Sequence, residues 1–111
     1  MTEGDVVLTS VSQVDGVTKN RPAIFLREMP LFDDLLVCGV STQLRQEVSG
    51  FDDLILPEHD DFNQSGLLAA SLIRLGFLAV IPRKSIPGSI GAISRERRRR
   101  LLERLSNHLL A

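Results

Sequence analysis

Residues 19–26 read KNRPAIFL, and this stretch predicts a strand with a polar, basic start that runs on into apolar residues. Pro22 fixes its own φ and disfavours the helical region for the residue before it, so Arg21 is expected to be extended. The Arg21 side chain should therefore leave the start of the strand in a defined direction. A guanidinium held in this way suits a phosphate, because its planar fork can bind two oxygens.

Short apolar or β-branched runs, separated by turn residues, continue on both sides of this stretch. They predict strands at residues 6–11, 23–27, 35–41, 54–56 and 72–81. Asp15 and Gly16 indicate an exposed hairpin loop over residues 12–20, and the polar residues 57–66 predict a second loop. Such loops commonly flank a binding cleft.

One helix is predicted at the end of the chain. Pro82, Pro87 and Gly88 are expected to break the chain after the last strand, and Ser94 is a good N-cap for a helix that follows. This helix would pack on the strands through one apolar stripe, formed by Leu101, Leu102, Leu105 and Leu109. Strands with polar loops and one final helix predict a mainly β fold, a small, partly closed antiparallel barrel with a C-terminal helix.

The composition suits one soluble domain over residues 1–111. Hydrophobic residues make up 43% of the chain and there is no Trp or Tyr, so the core must consist of Val, Ile, Leu and the five Phe. No apolar run approaches the roughly 18 residues of a membrane span, and residues 1–10 lack the pattern of a signal peptide. We therefore expect a cytoplasmic protein without a membrane segment. The single cysteine, Cys38, lies in an apolar run and is expected to be a small buried side chain.

The net charge of -1 conceals a strong charge polarity along the chain. Residues 1–61 contain four Lys/Arg and twelve Asp/Glu, whereas residues 62–111 contain nine and two. The first part repels a phosphate backbone and the second attracts it, so composition neither supports nor excludes RNA binding. The same polarity suits an oppositely charged protein partner.

Two charged clusters have competing interpretations. Arg95 and residues 97–100 form either a solvated face, whose long stems cover apolar surface, or a basic patch for RNA or an acidic protein. His59, within the sequence EHDD at residues 58–61, superficially resembles a metal or acid–base cluster. Consecutive side chains on a loop rarely converge on one ion, so we expect no metal site there. His108 is expected at the boundary of the helix stripe.

In their order and spacing, three segments of this chain resemble the PemK/MazF family of bacterial toxins, small ribonucleases of toxin–antitoxin pairs. They are residues 4–8 (GDVVL), 19–26 (KNRPAIFL) and 40–43 (VSTQ). Residues 65–81 also resemble the last core strands of that family, and residues 93–110 its C-terminal helix. The resemblance implies an SH3-like antiparallel barrel, a homodimer whose RNA groove crosses the subunit interface, and an antitoxin partner with an acidic disordered segment.

The resemblance also implies catalytic residues. Arg21 matches the arginine of the family's Arg-Pro motif, and Ser41 matches the catalytic Thr or Ser that begins the Thr/Ser-Thr/Ser-Gln turn. Arg74 matches a position where some members have a catalytic arginine, but Gly76 stands where those members have an assisting aspartate. Three further residues are expected to contact RNA or to hold the turn: Lys19, Thr42 and Gln43.

From the residues alone, simpler interpretations compete with these roles. Arg21 would pair with a carboxylate such as Asp15, and a Ser-Thr-Gln sequence after a strand would be an ordinary turn. An arginine is also a poor general base because its pKa exceeds about 12. Electrostatic roles therefore come first for the two arginines, and the sequence identifies no general base.

The leading prediction is a metal-independent endoribonuclease toxin that needs no cofactor, cleaves single-stranded RNA such as mRNA and arrests growth. The resemblance implies a 2′,3′-cyclic phosphate and a 5′-hydroxyl as products. Single strands are favoured because a splayed backbone can align the 2′-hydroxyl with the leaving oxygen. The alternative is a non-catalytic SH3-like barrel that binds a protein, as gyrase-poisoning toxins do, or binds nucleic acid without cutting it. Gly76 slightly favours the alternative.

Overall fold

The computed structural model describes residues 1–12 and 14–111, and within them the chain forms six strands and two α-helices. Gln13, which belongs to the predicted loop of residues 12–20, lies outside the described residues. The strands are β1 (Asp5–Ser12), β2 (Thr18–Met29), β3 (Asp34–Ser41), β4 (Asp53–Ile55), β5 (Ser71–Ile81) and β6 (Gly88–Ala92), and the helices are α1 (Phe62–Ser65) and α2 (Arg95–Leu110).

All neighbouring strands are antiparallel, in the order β4-β5-β3-β2-β1-β6, and they form a curled sheet. The mainly β, barrel-like fold with a C-terminal helix is thereby confirmed. In the turn between β1 and β2, Gly16 has a φ of +83°, which a residue without a Cβ adopts at little cost. The Asp15 carboxylate accepts a hydrogen bond of 2.9 Å from the Val17 N–H. Asp15 therefore holds its own turn.

The long strand β2 shows how the sheet separates two apolar clusters. Ile24 and Leu26 point into the main core, and alternate residues Ala23 and Phe25 point into a smaller cluster on the opposite side. Leu101 of α2 packs into the main core, so we call that side of the sheet the helix face. The opposite side, which carries Ala23 and Phe25, is called the second face.

Helix α2 starts as the sequence predicts. The Ser94 hydroxyl oxygen accepts a hydrogen bond of 3.1 Å from the Arg97 N–H, which satisfies one of the N–H groups that lack an intrahelical partner. Leu101 and Leu105 are buried, but Leu109 is 71% exposed, so its predicted place in the packed stripe is wrong. The last turn of α2 extends past the main core. Among the described residues, no helix combines the length and apolarity needed to cross a membrane.

Strand β6 was not predicted from the sequence. Pro87 and Gly88 do interrupt the chain, but Gly88 then opens a strand that pairs with β1. A Cβ at Gly91 would collide with the backbone of Gln64 and Ser65, the last two residues of α1. The strand therefore needs a small residue where α1 approaches it, and a sequence rich in Gly resembles a loop. Helix α1 likewise lies inside the predicted loop of residues 57–66.

Cys38 of β3 is fully buried in the main core. Burial raises the pKa of its thiol to about 12, because a thiolate there would lose its hydration. The thiol is thus protonated and unreactive at neutral pH. The prediction of a small buried side chain is confirmed.

Candidate functional site

Arg21 and Ser41 lie on neighbouring strands near the same end of the sheet. The ladder between β2 and β3 pairs Ala23 with Gly39, and continuing its register by two residues sets Arg21 opposite Ser41. Side chains alternate along a strand, so both residues lie on the second face with Ala23. Directly opposite residues of antiparallel strands have Cβ atoms about 5 Å apart. The ladder itself ends at Ala23 and Gly39, and its register, extended by two residues, would bring the guanidinium and the hydroxyl to one place on the surface.

Arg74 reaches the same place from the other side of β3. The ladder between β3 and β5 pairs Gly39 with Arg74 and Ser41 with Leu72. Paired residues share a face, so Arg74 lies on the second face and diagonally across from Ser41. Diagonal neighbours are about 7–8 Å apart, which is within the reach of an arginine side chain. Ser41 is thus flanked by one arginine on each neighbouring strand.

Neither Arg21 nor Arg74 forms a salt bridge to a carboxylate within residues 1–12 and 14–111. Asp15, the proposed partner of Arg21 in the simpler interpretation, accepts from a backbone N–H instead. Arg21 is exposed and Arg74 is half-buried. The arginines that do pair with carboxylates are Arg27, Arg83, Arg97, Arg98, Arg99, Arg100 and Arg104. The second face therefore presents two guanidinium groups that can bind an external anion.

The Ser41 hydroxyl has a defined orientation. Its oxygen accepts a hydrogen bond of 3.0 Å from the Gln43 N–H, which closes the turn after β3. Because that bond uses a lone pair, the hydroxyl proton can still be donated to another acceptor. Thr42 and Gln43 are exposed in this turn, and Lys19 is exposed on β2, two residues before Arg21 and on the same face. All three predicted RNA contacts thus lie near Arg21 or Ser41 along the chain.

Phe77 is a neighbour of this site that the sequence did not reveal. Residues 72–81 were predicted as a core strand, but the Phe77 side chain is 64% exposed. Its ring lies over Gly39, since a Cβ built at Gly39 would be 3.1 Å from Phe77 Cδ1. The one signal of this close approach in the sequence was Gly39, a glycine in the middle of a predicted strand.

Most arginines in the run at the start of α2 form salt bridges within the protein. Arg97 is 5% exposed, and its guanidinium donates to Asp61 at 2.8 and 2.9 Å and to Asp53 at 2.8 Å. Arg100 also donates to Asp53 at 2.8 Å, and Arg98 pairs with Glu3 at 3.1 Å. The run is therefore neither a purely solvated face nor an uncompensated basic patch. Acidic residues from the first part of the chain neutralise much of it.

The EHDD sequence at residues 58–61 belongs to this network. His59 Nδ1 accepts a hydrogen bond of 3.0 Å from the Leu56 N–H and lies 3.3 Å from Arg97 Nη2. A cleft of about 730 Å³ opens beside these residues, on the α2 side of the molecule. Its buried cation, Arg97, is already bound by two carboxylates, so we place the candidate site on the second face instead.

Asp61 makes stability depend on pH. The Arg97 guanidinium holds the pKa of the Asp61 carboxyl well below its ordinary value of 3.8, so the folded protein binds fewer protons there than the unfolded chain. The stabilisation is fully present above that ordinary value and is lost as the pH falls below it. We expect the free energy of unfolding, measured in urea, to decrease below about pH 4 with a slope that Asp61→Asn reduces. Asp60→Asn, at an exposed neighbour, should leave the slope unchanged, and equal slopes for all three proteins would contradict the assignment.

No protein-family model matches this chain, and a search of the curated proteins found no significant match. The fold and the site together describe a small, barrel-like β protein that carries two arginines and a serine on adjacent strands of one face.

Proposed function

We propose that this protein is a metal-independent endoribonuclease toxin of the PemK/MazF type, which cleaves single-stranded RNA in the cytoplasm. The strand register supports the proposal, because Gly39 pairs with both Ala23 and Arg74, and the same register extended by two residues would set Arg21 opposite Ser41 on the second face. Within the described residues the two guanidinium groups lack a carboxylate partner, so a phosphodiester can bind between them without displacing an internal salt bridge.

The chemistry requires the 2′-oxygen of one nucleotide to attack the adjacent phosphorus while the 5′-oxygen of the next nucleotide leaves. This reaction yields a 2′,3′-cyclic phosphate and a 5′-hydroxyl. Negative charge grows on the equatorial phosphate oxygens in the transition state, and Arg21 would bind those oxygens more tightly as the charge develops. Arg74 would supply a second cation, and the Ser41 hydroxyl would donate its proton to a phosphate oxygen. The roles assigned to the arginines are electrostatic.

The proposal includes two protein partners. A homodimer would cover some of the exposed apolar side chains at one end of the sheet, where Leu31 is 81% and Phe32 is 77% exposed in the turn between β2 and β3. Val80 of β5 is 53% exposed and pairs with Leu36 near the same end. Apolar surface of this kind favours burial by a partner. An antitoxin with an acidic disordered segment would neutralise Arg21 and Arg74.

The test is an incubation of the purified protein with single-stranded RNA in EDTA. We expect discrete fragments that end in a 2′,3′-cyclic phosphate, identified by mass spectrometry, and no cleavage of the same sequence with 2′-O-methyl sugars, because that oligomer has no attacking hydroxyl. Intact RNA under these conditions would contradict the proposal. Fragments with 5′-phosphate ends would also contradict it, because they require a different nucleophile.

The second candidate is a barrel that binds a protein without catalysis. The observation in its favour is Gly76, which leaves Arg74 without the carboxylate that assists it in some PemK/MazF proteins. A Cβ at Gly76 would meet no described atom nearer than the Phe51 ring at 3.9 Å, so a larger residue would fit there. Intact RNA in the same assay, together with a stable complex between this chain and another protein, would favour this candidate.

A further inference from the structure

Phe77 owes its position to an irregularity in the sheet. Leu78 of β5 pairs with Cys38, but the next residue of β3, Gly39, pairs with Arg74. Residues 75–77 are therefore extra residues on β5 between two consecutive positions of β3. Irregularities of this kind redirect side chains and are common next to active sites. This one brings Phe77 and Arg74 of the same strand to Gly39.

The Phe77 ring lies on the second face. A Cβ at Gly39 would point to that face, as the side chains of Val37 and Ser41 do, and it would be 3.1 Å from Phe77 Cδ1 and 3.5 Å from Phe77 Cβ and Cγ. The ring thus rests on the glycine surface between Arg74 and the strand that carries Arg21. Its 64% exposure leaves an aromatic surface open to solvent over Gly39, whose partner on β5 is Arg74.

We propose that Phe77 is a stacking platform for an unpaired base next to the phosphate bound by Arg21 and Arg74. An exposed aromatic ring close to arginines can bind both parts of a nucleotide, because the base offers a π face to the ring and the phosphate offers charge to the arginines. A protein partner would cover the ring equally well, but it would not need two cations beside it. The inference rests on the proposed function for the identity of the ligand, which is single-stranded RNA.

Binding is measured apart from cleavage, with a mixed-sequence single-stranded RNA in its 2′-O-methyl form. In fluorescence anisotropy, Phe77→Leu should weaken binding by on the order of tenfold to a hundredfold, because leucine keeps the apolar bulk but has no π face. Leu110→Ala is the control for the loss of an exposed apolar side chain, since Leu110 is 84% exposed in the last turn of α2, away from the second face. Its affinity should equal that of the wild type.

A gain of signal provides the second measurement. The chain contains no Trp and no Tyr, so Phe77→Trp introduces a fluorophore whose emission reports on position 77 alone. We expect this variant to bind the oligomer at least as tightly as the wild type and its emission to be quenched on binding. Thermal unfolding should show that both Phe77 variants remain folded, as expected for an exposed side chain.

The outcomes separate this inference from the proposed function. If Phe77→Leu binds the oligomer with wild-type affinity and unmodified RNA is still cleaved, the stacking platform is contradicted but the proposed endoribonuclease activity is not. If binding quenches the emission of the Phe77→Trp variant but the wild type does not cleave unmodified RNA, the stacking platform is supported and the endoribonuclease activity is contradicted. Light scattering tests whether Phe77→Leu dissociates an oligomer. If its molecular mass is lower than that of the wild type and this dissociation accounts for the lost affinity, Phe77 belongs to a protein interface and the inference is overturned. Failure of the wild type to bind the oligomer would overturn it as well.

Discussion

Arg21→Ala should lower the rate of RNA cleavage by about a hundredfold to a thousandfold, the usual effect of removing one preorganised group that stabilises transition-state charge. Arg21 has no internal carboxylate partner in the described part of the chain and is exposed, so the substitution leaves no buried charge and should not unfold the protein. The measurement is a single-turnover cleavage rate in EDTA. Arg21→Lys should recover only part of the rate, because an ammonium lacks the planar fork.

Arg95→Ala is the matched control for this loss of charge. Arg95 is also exposed and also lacks a salt bridge among the described residues, but it lies in the first turn of α2, away from the second face. Its removal should change the cleavage rate by less than the removal of Arg21. Equal losses in the two variants would mean that general attraction of RNA, and not a specific contact to the phosphate, accounts for the effect of Arg21.

Arg97→Ala should lower the free energy of unfolding by about 3–5 kcal/mol, the largest effect on stability that we expect from a single substitution. The Arg97 side chain is 6% exposed, and those of Asp61 and Asp53 are 5% and 11% exposed. Removing the guanidinium leaves two carboxylates desolvated without their principal cation. It also removes the bond from Arg97 Nη1 to the Leu54 carbonyl, which is 2.8 Å long. Urea denaturation measures the change.

Arg99→Ala provides the comparison within the same arginine run. Its salt bridge to Glu103 joins side chains that are 82% and 59% exposed, and such pairs contribute about 0.5 kcal/mol or less. The two substitutions remove the same side chain from positions two residues apart in α2, yet only one should destabilise the protein strongly. Similar effects would show that helix propensity or net charge, and not the buried network, determines the stability of α2.

Local patterns in the sequence predict most of the strands and the start of α2. Alternation and β-branched residues predict β1, β2, β3 and β5, because one face of each strand is buried over much of its length. Ser94 predicts the first turn of α2 because capping involves only residues within that turn. Strand β6 escaped prediction because Pro87 and Gly88 were interpreted as a break in the chain, whereas Gly88 opens the strand and Gly91 allows a close approach of α1.

Contacts between distant parts of the chain explain the remaining differences. The pairing of Arg97 with Asp61 and Asp53 joins residues 36 and 44 positions apart, and no local pattern connects them. The exposure of Phe77 depends on the offset in the ladder with β3, which changes the partner of every residue beyond it. The candidate site itself was predicted through family resemblance. Whether Arg21, Ser41 and Arg74 lie close together on one face depends on the pairing register of the strands, which the sequence motifs alone do not specify.

The three extra residues of β5 also constrain how the chain length can vary. Because three is an odd number, the strand changes phase there: Ile73 and Leu75 project into the main core before the break, and Leu78 projects to that same side after it. Inserting or deleting one residue at this point would invert one half of the strand: either Arg74 would turn inward and Ile73 outward, or Leu78 would turn away from the main core. Substitutions around Gly39 should therefore be tolerated far better than an insertion or deletion of one residue between Arg74 and Leu78.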